Sequence, residues 1–181
     1  LKLKSCPKIY SACFYNNPGV KKILWLYKYR GKRGLADILA KIILQNITYF
    51  SIINKKSHSL IPVPISNKKL RQRGYNQSAI IAKIISKKTG IPCFENILYK
   101  KSHTISQVET KNKEERKKNL KNSFGIKSDY KNQAREIDKN SIIILFDDIV
   151  TTGATLNEAA KTLRKAGFKN IIGMTVARGG G

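Results

Sequence analysis

The most constraining feature of the chain is the run SIIILFDDIVTTGATL (141–156). In it, five apolar residues lead into Asp147 and Asp148. A short branched apolar run bounded by a turn is typical of a buried parallel strand. The Thr-Thr-Gly-Ala-Thr turn that follows predicts a helix beginning near Thr155. We therefore expect an α/β fold that places two carboxylates at the carboxyl end of a strand, where open parallel sheets bind ligands.

The turn after the acid pair is suited to a phosphate group. Gly153 lets the backbone approach an anion closely, and Ala154 adds little bulk beside it. Thr151, Thr152 and Thr155 offer hydroxyl groups. The first turn of the following helix directs free N–H groups and a positive dipole end toward the same place. We expect a phosphate here to be held mainly by the backbone.

Two other interpretations of this run are weaker. Strands of nucleotide hydrolases also end in acids, but those proteins need the loop G-x-x-x-x-G-K-[ST]. The sole Gly-Lys pair is Gly31-Lys32, and Leu26 stands where the earlier glycine would be required. An acid that merely caps a helix accounts for one carboxylate, but not for the glycine and the threonines.

The run resembles the phosphoribosyl pyrophosphate (PRPP) signature of type I phosphoribosyltransferases. Other segments resemble the ComF/GntX-type phosphoribosyltransferase-like proteins of bacteria, and the likeness extends over about residues 10–178. These segments are Tyr27 to Gly31, Pro62 to Ile65 and Arg71 to Gln77, followed by Thr104, Gln107, Arg116, Asn119 and Phe124.

The resemblance implies a parallel β-sheet flanked by helices on both faces, with an N-terminal helical hood. We expect the hood in residues 1–59 and the phosphoribosyltransferase-like core in residues 60–178. Residues 100–121 carry eight basic and three acidic side chains and almost no apolar periodicity. Such a segment is typical of a solvated loop, and by resemblance it is the flexible loop that closes over PRPP.

The resemblance also implies roles for individual residues. Asp147 and Asp148 would hold the ribose hydroxyls, directly or through Mg²⁺, which favours carboxylate and phosphate oxygens. The turn from Thr151 to Thr155 would bind the 5-phosphate of PRPP. Pyrophosphate would be received by Arg71, Arg73 and Gly74, with Thr104, Gln107 and Arg116 of the loop. Arg116 is equally suited to bracing the loop through Asn119 and Phe124.

The charge of the chain indicates a polyanionic partner. It has 36 Lys and Arg against 11 Asp and Glu, a net charge of +25. Residues 1–59 hold twelve basic residues and one acid, so the basic excess is expected away from the acid pair. Interleaved cations and aromatic rings favour single-stranded DNA, and we predict the contacts at Lys28, Arg30, Lys32 and Arg33. A genome rich in A and T would raise the lysine count without any such function.

Two classes of function therefore remain open. In the first, the chain is a phosphoribosyltransferase acting on an unidentified nitrogenous acceptor. In the second, it is a non-catalytic protein that handles single-stranded DNA and keeps a PRPP site, and the two functions can coexist. The resemblance implies service in natural competence and DNA uptake, with competence-machinery proteins as possible partners. The acceptor and the oligomeric state cannot be read from the sequence.

The cysteines argue against a zinc site. ComF-type proteins usually begin with a four-cysteine zinc module, whereas Cys6, Cys13 and Cys93 are widely spaced here. We therefore do not expect zinc in this chain, and truncation of such a module stays open. No apolar stretch reaches the ~18 residues of a membrane span and no signal peptide is visible, so we expect a cytoplasmic location.

Periodicity and turn residues predict the elements around the signature. Gly and Pro mark their ends. The segment after the first strand is expected to be a cation-rich loop. Helices are predicted from Asn17-Pro18 to Gly31, from Leu35 to about Ile43 and from Asn76 to Thr89; strands are predicted at Leu60 to Val63, Phe94 to Tyr99 and Ile171 to Val176.

Overall fold

The computed structural model describes residues 8–46, 57–101, 122–128 and 137–179. Its main sheet has four strands in the order β1-β6-β5-β2, and each neighbouring pair is parallel. A separate antiparallel pair joins β3 and β4. The elements are β1 (Ile9–Phe14), α1 (Pro18–Tyr29), α2 (Leu35–Asn46), β2 (His58–Pro62), α3 (Asn67–Arg73), α4 (Gln77–Thr89), β3 (Leu98–Lys100), β4 (Phe124–Ile126), β5 (Ile142–Val150), α5 (Ala154–Lys165) and β6 (Asn170–Arg178).

Strand β5 lies inside the sheet and buries both of its faces. Ile144 and Phe146 belong to the core cluster that α1, α2 and α4 cover. Ile143 and Leu145 belong to a second cluster, which α5 covers on the other face. This alternation follows from the period of two in a strand. The predicted parallel α/β sheet with helices on both faces is therefore confirmed.

Caps set the ends of the helices near the predicted positions. Asn17 Oδ1 accepts hydrogen bonds from the amides of Gly19, at 3.0 Å, and Val20, at 3.1 Å, which starts α1 at Pro18. Gly90 ends α4 in the left-handed conformation, with φ 75°. The predicted helices α1, α2, α4 and α5 all form. Each one has a periodic apolar face, and α1, α4 and α5 also have a cap residue at one end.

Two predictions about secondary structure were wrong. The strand predicted from Phe94 to Tyr99 forms only as β3, because Glu95 and Asn96 make a turn. An isolated bridge between Leu60 and Cys93 joins this region to the main sheet. The predicted loop after β2 contains α3, whose start is capped by Ser66 accepting from the amide of Lys69 at 3.4 Å. No α3 residue is buried, so the sequence carries no apolar signal for it.

The N-terminal segment shares both the sheet and the core with the rest of the described chain. Strand β1 pairs with β6 in parallel, with Ile9 opposite Gly173. In the core, Leu39 and Ile43 of α2 lie in the same cluster as Ile81 of α4. Within the described ranges, no helix combines the length and apolar character needed to cross a membrane.

Candidate functional site

The acid pair lies where β5 extends beyond its neighbour β2. The last register pair between these strands is Pro62 with Phe146, whereas β5 continues beside β6 as far as Val150. Strand β2 ends at Pro62, and Pro64 just beyond it cannot donate a ladder hydrogen bond. Asp147 and Asp148 therefore lie at the carboxyl edge of the sheet, past the last residue pair of β5 with β2. This edge is the usual place for the ligand site of an open parallel sheet.

Helix α4 holds Asp147. The hydroxyl of Ser78, in the first turn of α4, donates to Asp147 Oδ1 at 2.9 Å. The amide of Asp148 donates to the same oxygen at 2.9 Å. Burial raises the pKa of Asp147, and the neighbouring charge of Asp148 raises it further. An acid whose pKa is raised by burial and by a neighbouring charge is typical of a functional site.

Helix α1 holds Asp148. The ammonium group of Lys28, in the last turn of α1, lies 2.8 Å from Asp148 Oδ2. The side chains of Lys28 and Asp148 are only 16% and 10% exposed, so water screens this ion pair weakly. The expectation that the N-terminal cations lie away from the acid pair is therefore wrong for Lys28.

The threonine turn leaves the start of α5 open. Gly153 is the N-cap, has φ 73° and offers no side chain to the first amides of the helix. The hydroxyl of Thr152 accepts from the amide of Ala154 at 3.3 Å. Thr151 and Thr152 are exposed, while Ala154 and Thr155 are half-buried. The turn thus offers amides and hydroxyls to an anion at the end of β5 that carries the acid pair.

The predicted pyrophosphate residues lie on α3 and at its end. Arg71 is exposed, and the Arg73 guanidinium lies over the ring of Tyr29 at 5.1 Å. Gly74 caps α3 in the left-handed conformation, with φ 74°. A side chain there would be strained, which explains the glycine.

Tyr75 ties this segment to α1. Its hydroxyl donates to the backbone carbonyl of Tyr27, and the two rings lie 5.6 Å apart. In turn, the hydroxyl of Tyr27 donates to the carbonyl of Gln77 at 3.0 Å. The Arg33 guanidinium lies 4.8 Å from the centre of the Tyr75 ring. The structure thus places Arg33, predicted to contact nucleic acid, against the segment that leads into α4.

The remaining predicted nucleic-acid residues are close to exposed rings. The Arg30 guanidinium lies over Trp25 at 5.4 Å, and the rings of Trp25 and Tyr29 are 6.3 Å apart. Trp25 and Tyr29 are 46% and 62% exposed. Lys32 is exposed beyond the end of α1.

Lys100 is a candidate site residue that was not predicted from the sequence. It ends β3, is half-buried and lies over the Phe124 ring at 5.4 Å. Burial lowers the pKa of Lys100, Lys69 lowers it further, and Asp147 opposes both effects. The predicted loop residues Thr104, Gln107 and Arg116 lie outside the described residues.

The described side chains do not form a complete metal site. In the described ranges, no group of three or more His, Cys, Asp or Glu side chains could hold an ion. Asp147 and Asp148 offer carboxylate oxygens, as Mg²⁺ requires, and Lys28 already neutralises one of the two. The pair therefore fits Mg²⁺ only if other oxygens, such as those of a phosphate ligand, complete its coordination.

Comparison with known proteins decides the family. A family model of the phosphoribosyl transferase domain matches residues 75–181, more than half of the 181 residues. The chain is 35% identical to Competence protein F of Haemophilus influenzae over 128 residues, which cover 68% of this chain and 52% of that protein. The chain belongs to the ComF-type phosphoribosyltransferase-like family. It is also 26% identical to Competence protein ComFC of Bacillus subtilis over 151 residues, covering 83% and 56% of the two chains.

The ComF-type chain spans about half the length of the curated relatives that it matches. The acid pair, the threonine turn and α4 all lie inside the matched domain, whereas α1 precedes it. The contact of Lys28 with Asp148 therefore adds to the site a residue from outside the matched domain.

Proposed function

We propose that this ComF-type protein binds PRPP at the carboxyl edge of its sheet and transfers the phosphoribosyl group to a nitrogenous acceptor. The observation that carries the proposal is the acid pair placed beside the open N-terminus of α5. The two carboxylates can accept hydrogen bonds from the two hydroxyls of a ribose. The free amides at the start of α5 can bind its 5-phosphate.

The residues would act mainly by positioning. The amides and hydroxyls of the threonine turn would fix the 5-phosphate, and Asp147 and Asp148 would orient the ribose hydroxyls. In the reaction, the bond from C1 to pyrophosphate breaks, pyrophosphate leaves with the electron pair, and a bond from C1 to nitrogen forms as that nitrogen loses its proton. Arg71 and Arg73 would bind the departing pyrophosphate, because guanidinium groups pair well with phosphate oxygens. Their positive charge would stabilise the negative charge that develops there.

Magnesium would enter with the substrate. Mg²⁺ would be held mainly by the pyrophosphate oxygens of PRPP, where it would supply further neutralisation of the phosphate charge. The protein's own contribution would be to hold both carboxylates in place through Ser78 and Lys28.

Calorimetric titration with PRPP tests the proposal. Changing both Asp147 and Asp148 to Asn should weaken binding at least ~10-fold, because each lost charge-assisted contact is worth roughly 1.5–3 kcal/mol. Asp37→Asn is the matched control, since it removes one carboxylate from an exposed position on α2. Equal affinity of the wild type and the double variant would refute the proposal.

A second candidate function is the binding of single-stranded DNA, either in addition to phosphoribosyl transfer or instead of it. Trp25 and Tyr29 are exposed rings, and each carries an arginine over its face. Rings that stack on bases, together with cations that follow phosphates, are the components of non-specific strand binding. Two relatives are competence proteins by name, and we propose that this function serves natural competence.

The salt dependence of oligothymidylate binding tests this second function. Each neutralised phosphate contributes about −0.7 to the slope of log K against log salt. Changing Arg30 and Lys32 to Gln should reduce that slope by about 1.4 in magnitude. The same change at Lys87 and Lys88, both exposed in the last turn of α4, is the control. If changing Arg30 and Lys32 leaves the slope unchanged, the proposed binding of single-stranded DNA is refuted.

A further inference from the structure

The acid pair already has a cation of its own. Two adjacent carboxylates, one of them 7% exposed, repel each other strongly unless a positive charge is near. The Lys28 ammonium lies 2.8 Å from Asp148, at the distance of a charge-assisted hydrogen bond. It comes from α1, outside the matched domain.

The surrounding contacts fix Lys28 in that position. Tyr27, its neighbour in α1, is fully buried, and its hydroxyl and carbonyl are both hydrogen-bonded to the segment from Tyr75 to Gln77. That segment leads directly into Ser78, which holds Asp147. One packed unit therefore supports both carboxylates, with α1 on Asp148 and α4 on Asp147.

We propose that Lys28 is the resident counter-ion of the acid pair and occupies the place that a divalent cation would otherwise take there. With the charge of Asp148 neutralised, the pair binds ribose hydroxyls directly, and metal accompanies only the pyrophosphate end of PRPP. Lys28 acts through Asp148 and is thus a positioning residue. The direct binding of ribose hydroxyls by the acid pair rests on the proposed function, whereas the exclusion of a divalent cation from the pair does not.

The first measurement uses Mn²⁺ alone, followed by electron paramagnetic resonance. Lys28→Gln should increase the affinity for Mn²⁺ at least about tenfold, because the carboxylates lose their competing ammonium. Lys28→Arg should behave as the wild type does, since it restores the ion pair. Lys22→Gln removes an exposed charge from the same helix and should have no effect. Adding Asp148→Asn to Lys28→Gln should abolish the gain, which places the new ion at this pair.

The second measurement uses ribose 5-phosphate, which has the hydroxyls and the 5-phosphate but no pyrophosphate. The wild type should bind it equally with EDTA and with Mg²⁺. Lys28→Gln should weaken binding about tenfold in EDTA, and Mg²⁺ should restore most of the loss. A lysine that only braces α1 would weaken binding to the same extent in both conditions.

The possible outcomes distinguish the counter-ion role of Lys28 from the proposed binding of PRPP. If the affinity for Mn²⁺ does not change in Lys28→Gln, the counter-ion proposal is overturned, whether or not ribose 5-phosphate binds. Strict dependence of wild-type sugar binding on Mg²⁺ would also overturn it. If Mn²⁺ affinity rises but the wild type does not bind ribose 5-phosphate, the counter-ion role stands and the proposed function fails.

Discussion

Conservative changes in the two neighbouring carboxylates should affect stability in opposite directions. Asp147→Asn removes a half-buried charge that lies beside the charge of Asp148. The new amide oxygen still accepts from Ser78 and from the backbone amide that now contact Asp147 Oδ1. We expect a gain of about 1 kcal/mol, which raises Tm by about 2–4 °C in a chain of this size. Asp148→Asn leaves Lys28 without its 2.8 Å partner at 16% exposure. We expect a loss of about 1–2 kcal/mol, a value discounted for the partial exposure of the lysine.

The pH dependence gives this prediction a second check. The folded state raises the pKa of Asp147 above its ordinary value, so the native protein binds that proton more tightly than the unfolded chain does. The wild type therefore loses stability as pH rises from the ordinary aspartate pKa through the raised one. The gain from Asp147→Asn should be full above the raised pKa and should vanish in acid. Urea unfolding across this range measures it. A loss of stability in Asp147→Asn at neutral pH would refute the reasoning.

Two further substitutions and one measurement of thiol reactivity test separate parts of the structure. Gly153→Ala forces a side chain to φ 73°, which costs roughly 1–2 kcal/mol, and it should also weaken PRPP binding in calorimetry by more than ~10-fold. Tyr75→Phe removes the hydrogen bond to the Tyr27 carbonyl and should cost about 1 kcal/mol in urea unfolding. Burial, with a smaller effect of Glu95, raises the pKa of Cys93 to about 12, so iodoacetamide should alkylate it at least ~100-fold more slowly in the native than in the unfolded protein.

The sequence was informative where local signals agree. In β5 and α5, the apolar run, the acids and the glycine all lie within one continuous segment, and each indicates the same strand, turn and helix. The ends of α1 and α4 were also predictable, because Asn17 and Gly90 have the conformations that caps require.

Other parts depend on packing between distant segments. Nothing near Lys28 in the sequence indicates a carboxylate partner, because its ion pair with Asp148 exists only when α1 packs over the carboxyl edge of the sheet. Lys100 belongs to a charge run, and its half-buried position over Phe124 arises from the pairing of β3 with β4. In α3, every side chain is at least partly exposed, so its sequence has no apolar period to read.

A crystal structure of the chain with PRPP bound would show directly whether the acid pair and the threonine turn form the PRPP site. We expect the 5-phosphate on the amides and hydroxyls of residues 151–155, and the ribose hydroxyls within hydrogen-bond distance of Asp147 and Asp148. We also expect the ammonium of Lys28 to remain paired with Asp148. PRPP bound elsewhere, for example over the exposed rings of Trp25 and Tyr29 with no ligand at the acid pair, would refute the proposed site.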